Sequence, residues 1–146
     1  MPHNDLLHAT LVNLAGKGVL LEGKSGSGKS DLALRLIENK GAKLVADDAV
    51  TVEKRGSVLY GSAAADLRGM LEVRGVGIVT YPYMEETPID LVVRLVDDAA
   101  KIERLPLAQK ESILGLEIKQ IDLYARENSA ADKIVAALRC NDNISR

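Results

Sequence analysis

The chain has 146 residues, which suits one compact domain and is too short for two of ordinary size. A formal net charge of −2, with lysine and arginine scattered along the chain, leaves no footprint for nucleic acid or an anionic membrane, and no apolar run approaches the roughly 20 residues of a membrane span. Hydrophobic residues make up 47% but include no Phe or Trp and only four Tyr, so the core must be aliphatic, while the single Cys140 excludes an intrachain disulfide framework and points to a reducing compartment. Residues 1 to 7 lack the charged start and long apolar stretch of a signal peptide, and a soluble cytoplasmic domain is expected.

In chain order, Leu6 to Leu14 reads as one strand, and Ala15-Gly16-Lys17-Gly18 is a turn that folds it back on the next. Val19, Leu20 and Leu21 are an apolar run suited to a buried strand. Gly23, Lys24, Ser25, Gly26, Ser27, Gly28, Lys29 and Ser30 follow, with Gly23, Gly28, Lys29 and Ser30 at the fixed positions of a P-loop. Backbone N–H groups in such a turn converge on an anion, and the helix behind it adds the positive end of its dipole. Lys29 would neutralise the β- and γ-phosphates, and the Ser30 hydroxyl would ligate Mg²⁺. Without ligand, Lys29 is expected to be solvent-accessible. The helix is marked by Leu32, Ala33, Leu34, Leu36 and Ile37 at helical spacing and ends near Asn39-Lys40-Gly41.

Lys43 to Ala46 is a third strand, expected beside the P-loop strand and ending in Asp47-Asp48. On an extended chain neighbouring carboxylates point to opposite faces, so one would serve the metal and the other the proton of an incoming hydroxyl. Val50 to Glu53 and Val58 to Tyr60 form a second hairpin, and residues 63 to 70 a short helix. Leu71 to Arg74 alternates as a half-exposed strand, with Glu72 and Arg74 on one face. These two suit either a metal and a phosphate or an ordinary ion pair. Ile89 to Val96 is a strand, residues 99 to 115 mostly loop, Leu116 to Tyr124 the last strand, and Ala130 to Leu138 a helix. By local sequence alone His8 reads as a structural histidine, and Arg104 and Arg126 as surface residues.

Four stretches then carry a resemblance: Leu7-His8-Ala9-Thr10, residues 18 to 30, Leu44-Val45-Ala46-Asp47-Asp48, and Leu71-Glu72-Val73-Arg74-Gly75-Val76-Gly77-Ile78. In this order the chain resembles the catalytic domain of the HPr kinase/phosphorylase family, bacterial enzymes that act on a serine of the phosphocarrier HPr. The resemblance implies an α/β P-loop kinase domain of the HPr kinase/phosphoenolpyruvate carboxykinase-like type, with a mixed sheet and few helices. It implies a single catalytic domain over residues 1–146, in a short form without the family's usual N-terminal domain, and a homo-oligomer like the family hexamer. Its cofactors would be ATP and Mg²⁺, and its partner an HPr-like protein. Residue by residue, Lys24 to Ser30 with Gly23 bind the phosphates, and Ser30, Glu72 and Asp48 hold Mg²⁺. Asp48, beside Asp47, is the base; His8, Lys29 and Arg104 complete the catalytic set.

One departure bears on direction. Leu123-Tyr124-Ala125-Arg126-Glu127-Asn128 keeps an arginine of the family's late loop but lacks its Pro-Gly pair. A carboxylate at position 127 would add to the repulsion between phosphate and phosphoserine, so weak phosphorolysis is expected. A small-molecule kinase with a lid over residues 99 to 128, or a nucleotide-sensing module, would use the same nucleotide site.

Overall fold

The computed structural model describes residues 3–140. Strands β1 (Asn4–Leu7), β2 (Ala9–Leu14) and β3 (Lys17–Glu22) open the chain, followed by helix α1 (Lys29–Lys40) and strand β4 (Lys43–Ala46). Strands β5 (Val50–Arg55) and β6 (Val58–Ser62) form a hairpin, and β7 (Met70–Val73) and β8 (Gly77–Thr80) a second, separate one. Strands β9 (Glu86–Leu95), β10 (Gln109–Ile113) and β11 (Leu116–Leu123) precede helix α2 (Ala130–Arg139). The main sheet runs β1-β5-β6-β9-β3-β2-β4, and β11 joins β9 with β10 outside it. It is a mixed sheet with two α-helices among the described residues, as the expected fold class requires. The ends of the expected 1–146 domain lie outside those residues.

The long β9 organises the sheet. Its first residues pair with β6, and its second half runs parallel to β3 on one side and β11 on the other. Covered on both faces at their centres, β3 and β9 carry the continuous apolar runs Val19-Leu20-Leu21 and Leu91-Val92-Val93 rather than alternating there. Val12, Val19, Leu21, Leu91 and Val93 face α1 and α2, where Leu32, Leu36 and Ile134 meet them. Leu11, Leu20 and Val92 face the opposite layer with Val50, Val52 and Leu59. On α1 the buried stripe is Leu32, Ala33 and Leu36, with Asp31 in the first turn and Lys40 in the last, each at the dipole end that favours it.

Three expectations change. The first strand breaks at His8, because β1 pairs with β5 while β2 pairs with β3 and β4. The bend lets the chain pass from one strand group to the other. The P-loop strand and β4 are not neighbours, since β2 lies between them, antiparallel to both. They therefore run parallel to each other, and their C-terminal ends stay at the same end of the sheet. Residues 99 to 115, expected as mostly loop, also hold a 3₁₀ turn at Ala99–Lys101 and strand β10. Gln109-Lys110-Glu111-Ser112 is almost wholly polar, so its strand character comes from pairing with β11 and not from an apolar period.

Candidate active site

At the shared C-terminal end of β3 and β4 the structure holds a cavity of about 700 Å³. One wall is the P-loop itself. Ser27 donates its N–H to the Lys24 carbonyl at 2.9 Å, and Leu32 N–H reaches the Gly28 carbonyl at 2.9 Å, so the turn passes directly into α1. Gly28 sits at φ +98, and a Cβ there would lie 3.0 Å from the Ala125 methyl. Only glycine meets both demands. At Gly23 an added Cβ would collide with the Ser27 hydroxyl, which is itself buried without a hydrogen-bond partner. Ser25, Gly26, Gly28, Lys29 and Ser30 line the cavity, whereas Gly23 and Lys24 contribute carbonyls behind it.

Lys29 differs from expectation. It is only 8% exposed. The loop curls around its side chain, and Nζ donates to the carbonyls of Gly23 at 2.8 Å and Lys24 at 3.2 Å. An ammonium has three donors, so this grip holds the lysine in place and leaves one proton for a ligand.

Asp47 is the most connected carboxylate. Its Oδ1 accepts from Ser30 Oγ at 2.6 Å and Thr10 Oγ1 at 3.1 Å, and its Oδ2 from Glu72 N–H at 3.2 Å. It thus ties α1, β2 and β7 together. Strict alternation from Leu44, which faces α1, would have turned Asp48 and not Asp47 to that side. Between the pairs Leu11–Ala46 and Val12–Leu44, however, β4 accommodates one extra residue, Val45. The bulge places both Val45 and Ala46 against the opposite layer and returns Asp47 to the face of Thr10. Asp48 follows at φ +65, a left-handed conformation that aspartate tolerates better than most residues. Its N–H donates to Thr10 Oγ1 at 3.3 Å, and its exposed side chain lines the cavity. Asp47 is thus engaged with Ser30 and the Glu72 amide while Asp48 lines the cavity, an arrangement set by a bulge and a left-handed residue rather than by the pleat of an extended strand.

The β7–β8 hairpin makes the opposite wall with Glu72, Arg74, Gly75 and Gly77. Arg74 lies one residue beyond β7, in the hairpin's connection, yet still lines the cavity beside Glu72. A third wall is the late segment Ala125-Arg126, whose arginine the resemblance had singled out, together with Arg35 of α1, which was missed in the sequence. Thr10 was missed as well: fully buried, it bridges the aspartates through its single hydroxyl. His8 is exposed in the bend before β2, and Arg104 is exposed in the chain before β10. Neither is among the residues lining the cavity.

The Glu127 carboxylate, expected to add repulsion, is turned to a cation. It pairs with Lys133 of α2 at 2.6 Å and is not among the lining residues; the residue that faces the cavity from this segment is Arg126.

Behind the P-loop, Glu22 closes β3 on the layer away from the helices. Burial, then a hydrogen bond and charge repulsion from Glu111 of β10, push its carboxyl up to about 8, with Arg94 pulling the other way. Arg94 is committed to Asp122 at 3.0 and 3.2 Å. Among the described residues no three His, Cys, Asp or Glu side chains form a metal cluster. One hydroxyl and one or two carboxylates around the P-loop suit Mg²⁺, a hard cation that fills most of its shell with water and phosphate oxygens.

The family described as HPr Serine kinase C-terminal domain matches residues 1–145. The HPr kinase/phosphorylase of Clostridium acetobutylicum is 36% identical over 145 residues, covering 92% of this chain and 47% of that protein. That of Alkaliphilus metalliredigens is 40% identical over 128 residues, covering 80% and 41%. The chain spans about half the length of the curated relatives it matches. Among solved structures, the Hpr(Ser) kinase/phosphatase from Coxiella burnetii superposes with a TM-score of 0.81 at 27% identity, over 92% of this chain and 94% of that one.

Proposed function

Because this chain belongs to the HPr serine kinase C-terminal domain family, we propose that it transfers the γ-phosphoryl group of ATP to a serine hydroxyl of an HPr-like phosphocarrier protein. The observation that carries the reading is the Asp47 network. Ser30 Oγ donates a hydrogen bond to Asp47 at 2.6 Å, which leaves the lone pairs of its oxygen for a metal ion. Ser30 and Glu72, with Asp48 alongside, would hold Mg²⁺, and the ion supplies charge neutralisation on the β- and γ-oxygens. The chain's own residues do the rest. The P-loop amides and Lys29 hold the phosphates in line, which is where most of the catalysis in phosphoryl transfer resides.

Asp48 is the base in this reading. Its neighbour Asp47 is engaged by two hydroxyls at Oδ1 and an amide at Oδ2, which commits it to holding Ser30 and β7 in place. Asp48 is exposed, lines the cavity and is free to meet an incoming serine. Arg74 and Arg126 supply positive charge around the transferring group. His8 and Arg104 are exposed and do not line the cavity, so they take no part in this reading. An ATP-dependent reaction on a phosphocarrier protein would run in the cytoplasm, where ATP is supplied.

The test is to incubate the protein with γ-labelled ATP, Mg²⁺ and HPr-like proteins from the same organism, then map the label. A single labelled serine on one of them is the expected result. Label in a small metabolite, or tight ATP binding with no acceptor, would replace this reading with a small-molecule kinase or a nucleotide sensor.

A further inference from the structure

Arg35 lies beside the buried stripe of α1, where an ion pair with Asp31 one turn earlier would be its ordinary role. Its side chain is only 25% exposed, and the Asp31 carboxylate is 3.5 Å from Nε, too far to satisfy that buried nitrogen. The two terminal nitrogens go elsewhere. One donates to the Ala125 carbonyl, and the other to the Glu127 carbonyl at 3.2 Å. These two carbonyls flank Arg126.

The grip has consequences on both sides. Ala125 is 2% exposed, and its methyl packs where a side chain at Gly28 would stand, so the segment is seated directly on the P-loop. On the other side the Glu127 carbonyl also accepts from Ala130 N–H at 3.1 Å, which joins the grip to the start of α2. Arg126 is held between two fixed points and lines the phosphate side of the cavity with Gly28, Lys29 and Ser30. A guanidinium suits this task because its planar fork reaches two acceptors at once, which an ammonium cannot do.

We propose that Arg35 is a positioning residue: by gripping the carbonyls on either side of Arg126, it sets that arginine over the P-loop where the phosphoryl group is transferred. The proposal rests on the kinase reading above and names a residue that acts only through another. It departs from the bland alternative, a helix–loop contact that matters for stability alone.

The experiment is a double-mutant cycle of Arg35→Met and Arg126→Ala in the full chain, read on phosphotransfer. Arg35→Met should lower kcat by about 10²-fold, since small misplacements of a positioned group cost that much, with KM for ATP changed by less than about threefold. In the Arg126→Ala background the same change should cost less than about threefold, because the two residues act as one unit. Arg35→Lys, which keeps the charge but not the fork, should restore only part of the loss. Trypsin should cut after Arg126 faster in Arg35→Met than in the wild type, which reports the grip without reference to activity. Equal factors in both backgrounds, or a loss confined to melting temperature, would overturn the proposal. If Arg35→Met does not fold, Arg35→Lys carries the cycle. If the wild type transfers no phosphate to any acceptor, the kinase reading fails, and trypsin cleavage after Arg126 decides the grip: faster cutting in Arg35→Met supports it, an unchanged rate rejects it.

Discussion

Glu22 and Asp47 finish two parallel strands at the same end of the sheet, and little else about them is alike. Asp47 faces the helices, where Ser30, Thr10 and the Glu72 amide all donate to it. Glu22 faces the other layer, where its nearest partner is a second carboxylate, Glu111, and the one nearby cation, Arg94, is occupied by Asp122. Three donors fix the Asp47 carboxylate in one orientation; burial beside another acid favours the protonated form of Glu22. The end of a parallel strand is thus only half an address. The face decides whether an acid there orients a metal ligand or shares a proton in a packed layer.

The largest effect should come from the front face. Asp48→Asn is expected to lower kcat by about 10²–10⁴, the usual contribution of a general base, with ATP affinity little changed. Glu72→Gln should instead raise the Mg²⁺ concentration needed for activity, because an amide is a poorer ligand for a hard cation. Steady-state kinetics across a magnesium titration separates the two. Identical defects, both cured by magnesium, would merge the roles given to Asp48 and Glu72.

Lys29→Ala comes next, with an expected loss of roughly 10²–10³ in kcat at saturating ATP, as for removal of one fixed electrostatic contact to the transferring group. The buried ammonium is also the clasp on the carbonyls of Gly23 and Lys24, so this variant should lose nucleotide affinity as well. Near wild-type turnover would remove the P-loop from the mechanism.

The back face should answer to pH and not to substrate. The folded chain holds the Glu22 proton up to about 8, whereas the ordinary value is 4.5. Between those values the folded state binds more protons than the unfolded one. The stability this pair contributes is therefore full below 4.5 and is lost as pH rises through about 8. Glu22→Gln keeps a hydrogen-bond donor without a titration. Its urea-unfolding free energy should fall less than that of the wild type over this window, by on the order of 2 kcal/mol after allowance for solvent screening of a half-buried group. Parallel curves for the two proteins would mean that Glu22 is charged in the fold.

The front face was largely legible because its chemistry is local. A P-loop concentrates its donors within eight consecutive residues, and Asp47-Asp48 and Glu72-Val73-Arg74 are equally compact. What escaped depended on tertiary placement. The bulge at Val45, which decides which aspartate faces Ser30, leaves no mark in an apolar run. Thr10 looks like any strand residue until the aspartates close on it. Arg35 has an acid one turn before it, which hides the two carbonyls some 90 positions further along that it actually holds. Strand β10 was missed because an edge strand with polar residues on both sides carries no period.

Amide hydrogen exchange on addition of Mg-ATP tests the contrast between the two faces most directly. The account predicts slowed exchange in residues 23–31, 47–49, 72–77 and 125–127, and none attributable to nucleotide in β10 or the facing part of β11. Protection centred on β10 and β11, with the P-loop unchanged, would contradict it and move the nucleotide site to the other side of the sheet.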